Sequence, residues 1–546
     1  MQLPFAITLD VGSSHANKTG AWRVERPIYV DRLPPCNDAC PAGENIQRWL
    51  YHAESGDYES AWRQLVEDNP LPAIMGRICY HPCETACNRA QLDEAVGINA
   101  VERFLGDEAL AKKWALPAAG APTGASVLVI GSGPSGLSAA YHLRRLGHAV
   151  TLVEAADQLG GMMRYGIPAY RLPRDILDAE IARILDLGVT VRTGHRVSDV
   201  AKERAEGGFA AVYLAVGAQI GRRTEIPAGD SARIIDALSL LRQVADDSPP
   251  LLGRRVAIYG GGNTAMDAAR TARRLGATDA VIVYRRTQKE MPAESEELDD
   301  ALKEGVTARW LSTVHSFEGP RMMIEKVRLD GNTVVPTGEL EELEADSLVL
   351  ALGQDSDLSL VAGEPQIEVA HGVVSVSAQM MTGEPGVFAG GDAVPSARTA
   401  TVAIGHAKHA ARAIDRYLSG GAETSEERHA LASFDRLNPW YYSDAERQKR
   451  PELEAARRAD TFAEVVGGLT ADNALFEARR CLSCGNCFEC DNCYGVCPDN
   501  AVRKLDIVVV PGENRRYAFD YDYCKGCGIC VQECPCGAID LIPEVI

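Results

Sequence analysis

Short apolar runs alternate with amphipathic stretches through the middle of the chain, the pattern expected of strands and helices in a doubly wound α/β fold. Val127–Ile130 is an apolar run bounded by Ser126 and Gly131, and apolar residues then recur at helical spacing at Leu137, Ala140, Tyr141 and Leu143. Val150–Val153 repeats the strand. The same order returns downstream, with a strand at Val256–Tyr259, a helix running through Leu275 and a strand at Val281–Tyr284. The first 120 or so residues read differently, because they carry an amphipathic helix over Ile46–Val66 and no comparable set of strands. Residues 420 to about 475 are charged, with the run RQKRPELEAARRAD and an aromatic patch Trp440-Tyr441-Tyr442, and predict a solvated connecting helix.

Composition narrows the class. The 546 residues exceed what one core of roughly 250–300 residues can organise, so several domains are expected. A net charge of −20 with scattered lysine and arginine excludes nucleic acid and an anionic membrane surface as partners. No apolar run reaches about eighteen residues, and the start, MQLPFAITLDVG, has no basic region followed by an apolar core; a cytoplasmic protein is expected. Sixteen cysteines, mostly in C-x2-C or C-x3-C groups, then read as metal ligands rather than disulfides.

Both strand–helix–strand units carry glycine loops at the strand end. In the first, Gly131-Ser132-Gly133-Pro134-Ser135-Gly136 is a dinucleotide fingerprint: Gly131 permits the tight turn, Gly133 lets backbone approach a pyrophosphate, and Gly136 allows close helix–strand packing. Glu154, at the end of the following strand, is placed for ribose hydroxyls. The second unit has Gly260-Gly261-Gly262-Asn263-Thr264-Ala265, and where an acidic residue would select NAD it has Arg285 and Arg286, which suit a 2′-phosphate or are simply solvated. Gly160-Gly161-Met162-Met163-Arg164 offers backbone to a flavin ring, and Ala215 with Gly217 leaves room for an adenosine. Gly391-Asp392 precedes a helix starting near Thr401-Val402, where the aspartate suits a ribityl chain and the helix N-terminus suits negative charge on reduced flavin.

The C-terminal cysteines give the sharpest pattern. Cys487-x2-Cys490-x2-Cys493-x3-Cys497-Pro and Cys524-x2-Cys527-x2-Cys530-x3-Cys534-Pro are two bacterial ferredoxin runs, in which the fourth cysteine ligates the other cluster. Cys487, Cys490, Cys493 and Cys534 therefore form one [4Fe-4S] ligand set, and Cys524, Cys527, Cys530 and Cys497 the second. Near the N-terminus, Cys36, Cys40, Cys79, Cys83 and Cys87 form two further groups suited to iron–sulfur, with zinc as the alternative.

The segments CNDACPAGENI, NPLPAIMGRICYHPCETAC and VGINAVERF resemble the amino-terminal domain of the glutamate synthase small-subunit family of FAD and NAD(P) oxidoreductases. The resemblance covers residues 30 to about 415 and implies two N-terminal [4Fe-4S] clusters, one held by Cys40, Cys79, Cys83 and Glu102 and the other by Cys36, Cys87 and two further thiols. Those two are missing from Pro27–Pro35, where the family places them. Cys481 and Cys484 lie in ARRCLSCG, similar to the family segment that supplies the missing pair, so they either fold back to complete that set or stay an unused thiol pair. The resemblance also implies that Gly160–Pro168 lines the flavin and that Gly353 closes the nicotinamide side.

The expected organisation is a helical iron–sulfur domain (1–120), an FAD domain (121–250 and 365–420) interrupted by an NAD(P) domain (251–364), a linker (421–475) and an α+β ferredoxin-like domain (476–546). No cysteine occurs between Cys87 and Cys481, which excludes disulfide chemistry at the flavin. Hydride transfer between nicotinamide and flavin needs positioning rather than a general base, so no catalytic side chain is nominated. The expected function is exchange of hydride between NAD(P)(H) and FAD and of single electrons with a partner. Thiamine-dependent 2-oxoacid oxidoreductase chains are the first expectation, glutamate synthase the second and a free ferredoxin the third, with a non-catalytic wiring subunit as the alternative of another class.

Overall fold

The computed structural model describes residues 18–229, 232–421, 429–507 and 515–544. The start of the chain, on which the absence of a leader was read, lies outside the described residues.

Two five-stranded parallel sheets carry the middle of the chain. The first runs Val387–Ala389, Ala211–Leu214, Ser126–Ile130, Ala149–Val153, Thr190–Arg192, with the fingerprint strand at its centre. The second runs Thr307–Arg309, Asp279–Val283, Arg255–Tyr259, Ser347–Leu350, Ile234–Asp236. Central strands are apolar almost throughout because helices or an antiparallel sheet cover both faces. The three-stranded antiparallel sheet Ser312–Glu318, Arg321–Asp330, Thr333–Glu344 packs on the second parallel sheet through Phe317, Met322 and Ile324.

Several expected boundaries move. Ile234–Asp236, expected in the flavin unit, pairs with Leu348–Leu350 and is an edge strand of the second parallel sheet, and the helix Ala237–Ala245 after it enters the core beneath that sheet. The helix expected over Ile46–Val66 is two helices, Ile46–Glu54 and Tyr58–Val66, because Gly56 takes φ +82° and Asp57 caps the second through Ser60 N. Glu25–Tyr29, expected in the helical domain, pairs antiparallel with Ile539–Pro543 and completes the ferredoxin-like module from the other end of the chain.

The expected connecting helix does not form. In residues 429–470 the only α-helical segment is the short Ala455–Arg458; the rest is irregular or 3-10 and runs over both α/β units and the N-terminal domain. Its charges are spent on those neighbours: Arg447 pairs with Glu84 at 2.6 Å, and Arg458 is buried between Glu452 and Asp300. The helix Ala471–Ala478 then packs into the N-terminal core through Ala474 and Ala478. Among the described residues no helix is long and apolar enough to cross a membrane.

Candidate active site and cluster sites

One cavity of about 340 Å³ joins the two α/β units at the C-terminal ends of their strands. Gly131, Ser132, Gly133, Pro134, Ser135, Gly161, Met162, Ala215, Gly217, Gly391 and Asp392 line one side, and Asn263, Thr264 and Gln354 the other. The glycines are needed for backbone contacts. A Cβ on Gly136 would sit 1.8 Å from Gly131 O, one on Gly131 2.3 Å from Ala215 O, and one on Gly161 2.8 Å from Gly133 Cα. By contrast nothing lies within 4 Å of a Cβ at Gly133 or Gly262, the N-caps of Pro134–Arg145 and Asn263–Arg274. Neither helix has a side-chain cap, so their first N–H groups face open space with the positive end of the helix dipole behind them. Two such cradles, one per unit, fit two dinucleotides.

Other predicted residues support the loop from behind. Glu154 is buried, and its carboxylate accepts from Ser132 N at 2.9 Å, Ser132 Oγ at 2.6 Å and Ala156 N at 2.9 Å. Gly160 N donates to Ser132 O at 3.1 Å. Arg164 turns away from the cavity to Leu159 O and Asp178. The helix Ala400–Ser419 is capped by Thr399 Oγ1 on Val402 N at 3.2 Å, a contact typically worth about 1 kcal/mol. In the second α/β unit, a Cβ on Gly260 would sit 2.1 Å from Ala351 O, and one on Gly261 2.5 Å from the Tyr284 ring. Gly353 takes φ +102°, Arg285 is exposed, and Arg286 donates to Asn332 O at 2.9 Å.

Sequence reasoning missed what the N-terminal domain contributes. Ile78 and Tyr80, on either side of Cys79, line the same cavity, and Thr401 Oγ1 donates to Cys79 Sγ at 3.1 Å. Arg171 pairs with Asp267 at 2.8 Å and with Glu297, bridging the two α/β units at the cavity wall. No local motif marks Arg171. Gly405 lets the cavity helix approach the cysteine loop, since a Cβ there would meet Pro41 O at 1.9 Å.

The thiols gather into quartets. Cys36, Cys87, Cys481 and Cys484 line one small cavity, although the two pairs lie far apart in the chain. Asn88 Nδ2 donates to Cys484 Sγ at 3.4 Å. Cys497, Cys524, Cys527 and Cys530 line another. Burial pushes the Cys487 thiol up to about 12, and its neighbours Cys493, Cys534 and Cys490 add to that rise. In the fourth set, burial and then Glu102 push Cys79 up to about 12, and Cys83 is raised by burial, Glu84, Cys40 and Cys79. Glu102 is buried and accepts from Asn69 Nδ2 at 2.9 Å, while the same amide donates to Glu44 at 3.0 Å. Buried thiols held neutral by desolvation become ligands when iron charge replaces their protons. Among the described residues no three such side chains converge as ligands of a single ion do, whereas the sets Cys36/Cys87/Cys481/Cys484 and Cys497/Cys524/Cys527/Cys530 each surround a small space.

Two buried tyrosines stand near the thiols, and Tyr29 Oη lies 3.3 Å from Cys493 Sγ. Tyr29 is desolvated beside Cys493, Cys487 and Cys530, between the two ferredoxin sets, and Tyr442 lies among Cys536, Cys481, Cys484 and Cys490.

Two nucleotide cradles on a shared cavity, with thiol quartets leading away from it, define an iron–sulfur flavoprotein oxidoreductase. Residues 108–407 match the pyridine nucleotide-disulphide oxidoreductase family, residues 24–114 dihydropyrimidine dehydrogenase domain II with its 4Fe-4S cluster, and residues 486–538 a 4Fe-4S dicluster domain. The chain belongs to the pyridine nucleotide-disulphide oxidoreductase family, and FAD, NAD(P) and [4Fe-4S] clusters at both ends are its cofactors. It is 35% identical over 505 residues to the NADP(+)-dependent formate dehydrogenase subunit beta of Moorella thermoacetica, covering 82% of this chain and 70% of that one. It is 32% identical over 520 residues to the NADPH-Fe(3+) oxidoreductase subunit beta of Geobacter sulfurreducens, covering 84% and 77%. To the glutamate synthase [NADPH] small chain of Azospirillum brasilense it is 32% identical over 422 residues, covering 72% and 88%. Despite the family's title, the FAD and NAD(P) units of this chain contain no cysteine.

Proposed function

We propose that this chain is the nicotinamide-coupled electron-transfer subunit of a larger redox enzyme, with a flavin at the Gly131–Gly136 loop and a nicotinamide nucleotide at the Gly260–Ala265 loop. Four clusters would run outward through the sets Cys40/Cys79/Cys83/Glu102, Cys36/Cys87/Cys481/Cys484, Cys487/Cys490/Cys493/Cys534 and Cys497/Cys524/Cys527/Cys530. The observation that carries the reading is the segment Ile78-Cys79-Tyr80: its outer residues line the nucleotide cavity, and its central thiol belongs to the innermost quartet.

When bound, the flavin converts hydride chemistry into single-electron chemistry. The protein binds and orients. Helix N-termini at Gly133 and Gly262 hold phosphates, Arg285 and Arg286 select a 2′-phosphate, and Arg171 with Asp267 fixes one unit against the other so that the reacting rings meet. Asp392, whose carboxyl burial raises, lines the cavity beside Arg398, where it would hold the ribityl chain of the flavin.

The partner is a chain with its own substrate chemistry that gives or takes single electrons. A thiamine-dependent 2-oxoacid chain suits the ferredoxin-like module, and the names of the relatives add formate oxidation and iron(III) reduction to the same class of partner. Copurification distinguishes them by the stoichiometric chain that accompanies this one. The function itself is tested by anaerobic titration with NADPH and, separately, NADH. The expected result is bleaching of flavin at low excess of NADPH, followed by cluster signals in electron paramagnetic resonance. A flavin that dithionite reduces but neither nucleotide does would leave only a wiring subunit.

A further inference from the structure

The two halves of the ferredoxin-like module repeat each other closely enough for their differences to be informative. In each, the residue four after the last cysteine turns its N–H onto that sulfur: Ala501 N lies 3.2 Å from Cys497 Sγ, and Ala538 N lies 3.4 Å from Cys534 Sγ. The repeat breaks two residues after that cysteine. In the first half stands Asp499, paired with Lys525 Nζ at 3.4 Å, and both line the cavity of the Cys497/Cys524/Cys527/Cys530 set. In the second half stands Cys536, the sixteenth cysteine and the one that no ligand set uses.

Cys536 is 2% exposed, and its Sγ lies 3.7 Å from Cys534 Sγ. Its carbonyl accepts from Gly485 N at 2.6 Å, which anchors it between this quartet and the Cys481/Cys484 pair. A ligand thiolate has no proton to give, so across this contact the S–H of Cys536 is the donor. The same quartet receives a second side-chain donor, because Tyr29 Oη lies 3.3 Å from Cys493 Sγ. Donors aimed at ligand sulfurs stabilise the reduced, more negative cluster and raise its potential, and a nearby carboxylate does the reverse.

We infer that Cys536 and Tyr29 are tuning residues, whose S–H and O–H hold the potential of the Cys487/Cys490/Cys493/Cys534 cluster above that of the cluster on Cys497, Cys524, Cys527 and Cys530. One electron passing from the reduced outer cluster to the oxidised inner one breaks no bond and moves no proton, and the asymmetry gives that step its inward direction. The inference rests on the ligand sets proposed above.

The test is iron analysis of the full-length holoprotein followed by redox titration monitored by electron paramagnetic resonance. The variants are C536A, C536S, Y29F and D499N. Y29F keeps the ring stacked on Phe519 (centroids 4.5 Å apart) and removes only the hydroxyl. C536A and Y29F are expected to keep full iron and to shift one and the same cluster signal to more negative potential. C536S, which retains a donor, should recover part of that shift, and D499N should move a different signal to more positive potential. Unchanged potentials in fully loaded C536A, signals that differ between C536A and Y29F, or loss of iron in C536A would each overturn the assignment. Iron short of four clusters in the unsubstituted chain would instead overturn the ligand sets, and is measured first.

Discussion

The two quartets of the ferredoxin-like module and the quartet Cys36, Cys87, Cys481 and Cys484 offer the same kind of ligand from opposite kinds of chain. In the module, three thiols of each set come from one local turn and the fourth from the other run of the same short segment. The other quartet takes two thiols from each end of the protein, and they meet only because the chain between has folded. What holds them is a buried polar joint. Glu477, fully buried, accepts from Gly97 N at 2.6 Å, Gln448 N at 2.8 Å and Arg480 at 2.6 Å, while Arg480 also reaches Asp93 at 3.2 Å. A local cluster site needs a motif, whereas a split site needs a joint, and the cluster then acts as a staple between distant segments.

The largest effect should come from breaking the split site outright. C481A with C484A is expected to lower iron from about sixteen to about twelve per chain while leaving both ferredoxin signals in place. Iron unchanged by that pair of substitutions would mean that the quartet is not shared. Next is the joint itself: E477A leaves the Arg480 guanidinium buried with its main partner gone and should cost about 3–5 kcal/mol in denaturant unfolding. The half-exposed Lys504–Asp491 pair of the local module (2.8 Å) should cost under about 1 kcal/mol when K504A removes it. Equal losses would erase the distinction between joint and motif.

G405A addresses the contact between cavity helix and cysteine loop. It should cost about 1–3 kcal/mol by overpacking against Pro41 O and slow cluster reduction in stopped-flow, with flavin reduction by NADPH unchanged. Away from every quartet, R286A should raise KM for NADPH about tenfold, about 1.4 kcal/mol, and leave NADH unaffected. A matching rise for NADH would make Arg286 a structural residue.

Much of this architecture could be read along the chain. The strands at Val127–Ile130, Val150–Val153 and Val256–Tyr259 form within a residue of expectation, because a buried parallel strand must be apolar over its whole length. Where the reading erred, the deciding contact was remote. Ile234–Asp236 looks like the end of the flavin unit until it pairs with Leu348–Leu350. The run around Arg447–Arg458 has helical composition, yet only Ala455–Arg458 is helical, and Arg447 and Arg458 pair instead with Glu84 and Asp300 on other elements. Tyr80 sits inside a cysteine motif that gives it no role at a nucleotide, Arg171 is marked by no motif, and only the tertiary fold places both at one cavity.

By itself the sequence determined the things that depend on covalent reach: glycine loops at strand ends, apolar periodicity and cysteines spaced for one turn around a cluster. Tertiary structure decided the rest. It set which thiols complete the Cys36 quartet, which strand closes the ferredoxin-like module and which residues stand between cluster and nucleotide. The physical reason is that a motif's geometry is fixed by a few backbone dihedrals, whereas a shared site exists only after burial and buried ion pairs have brought distant segments together.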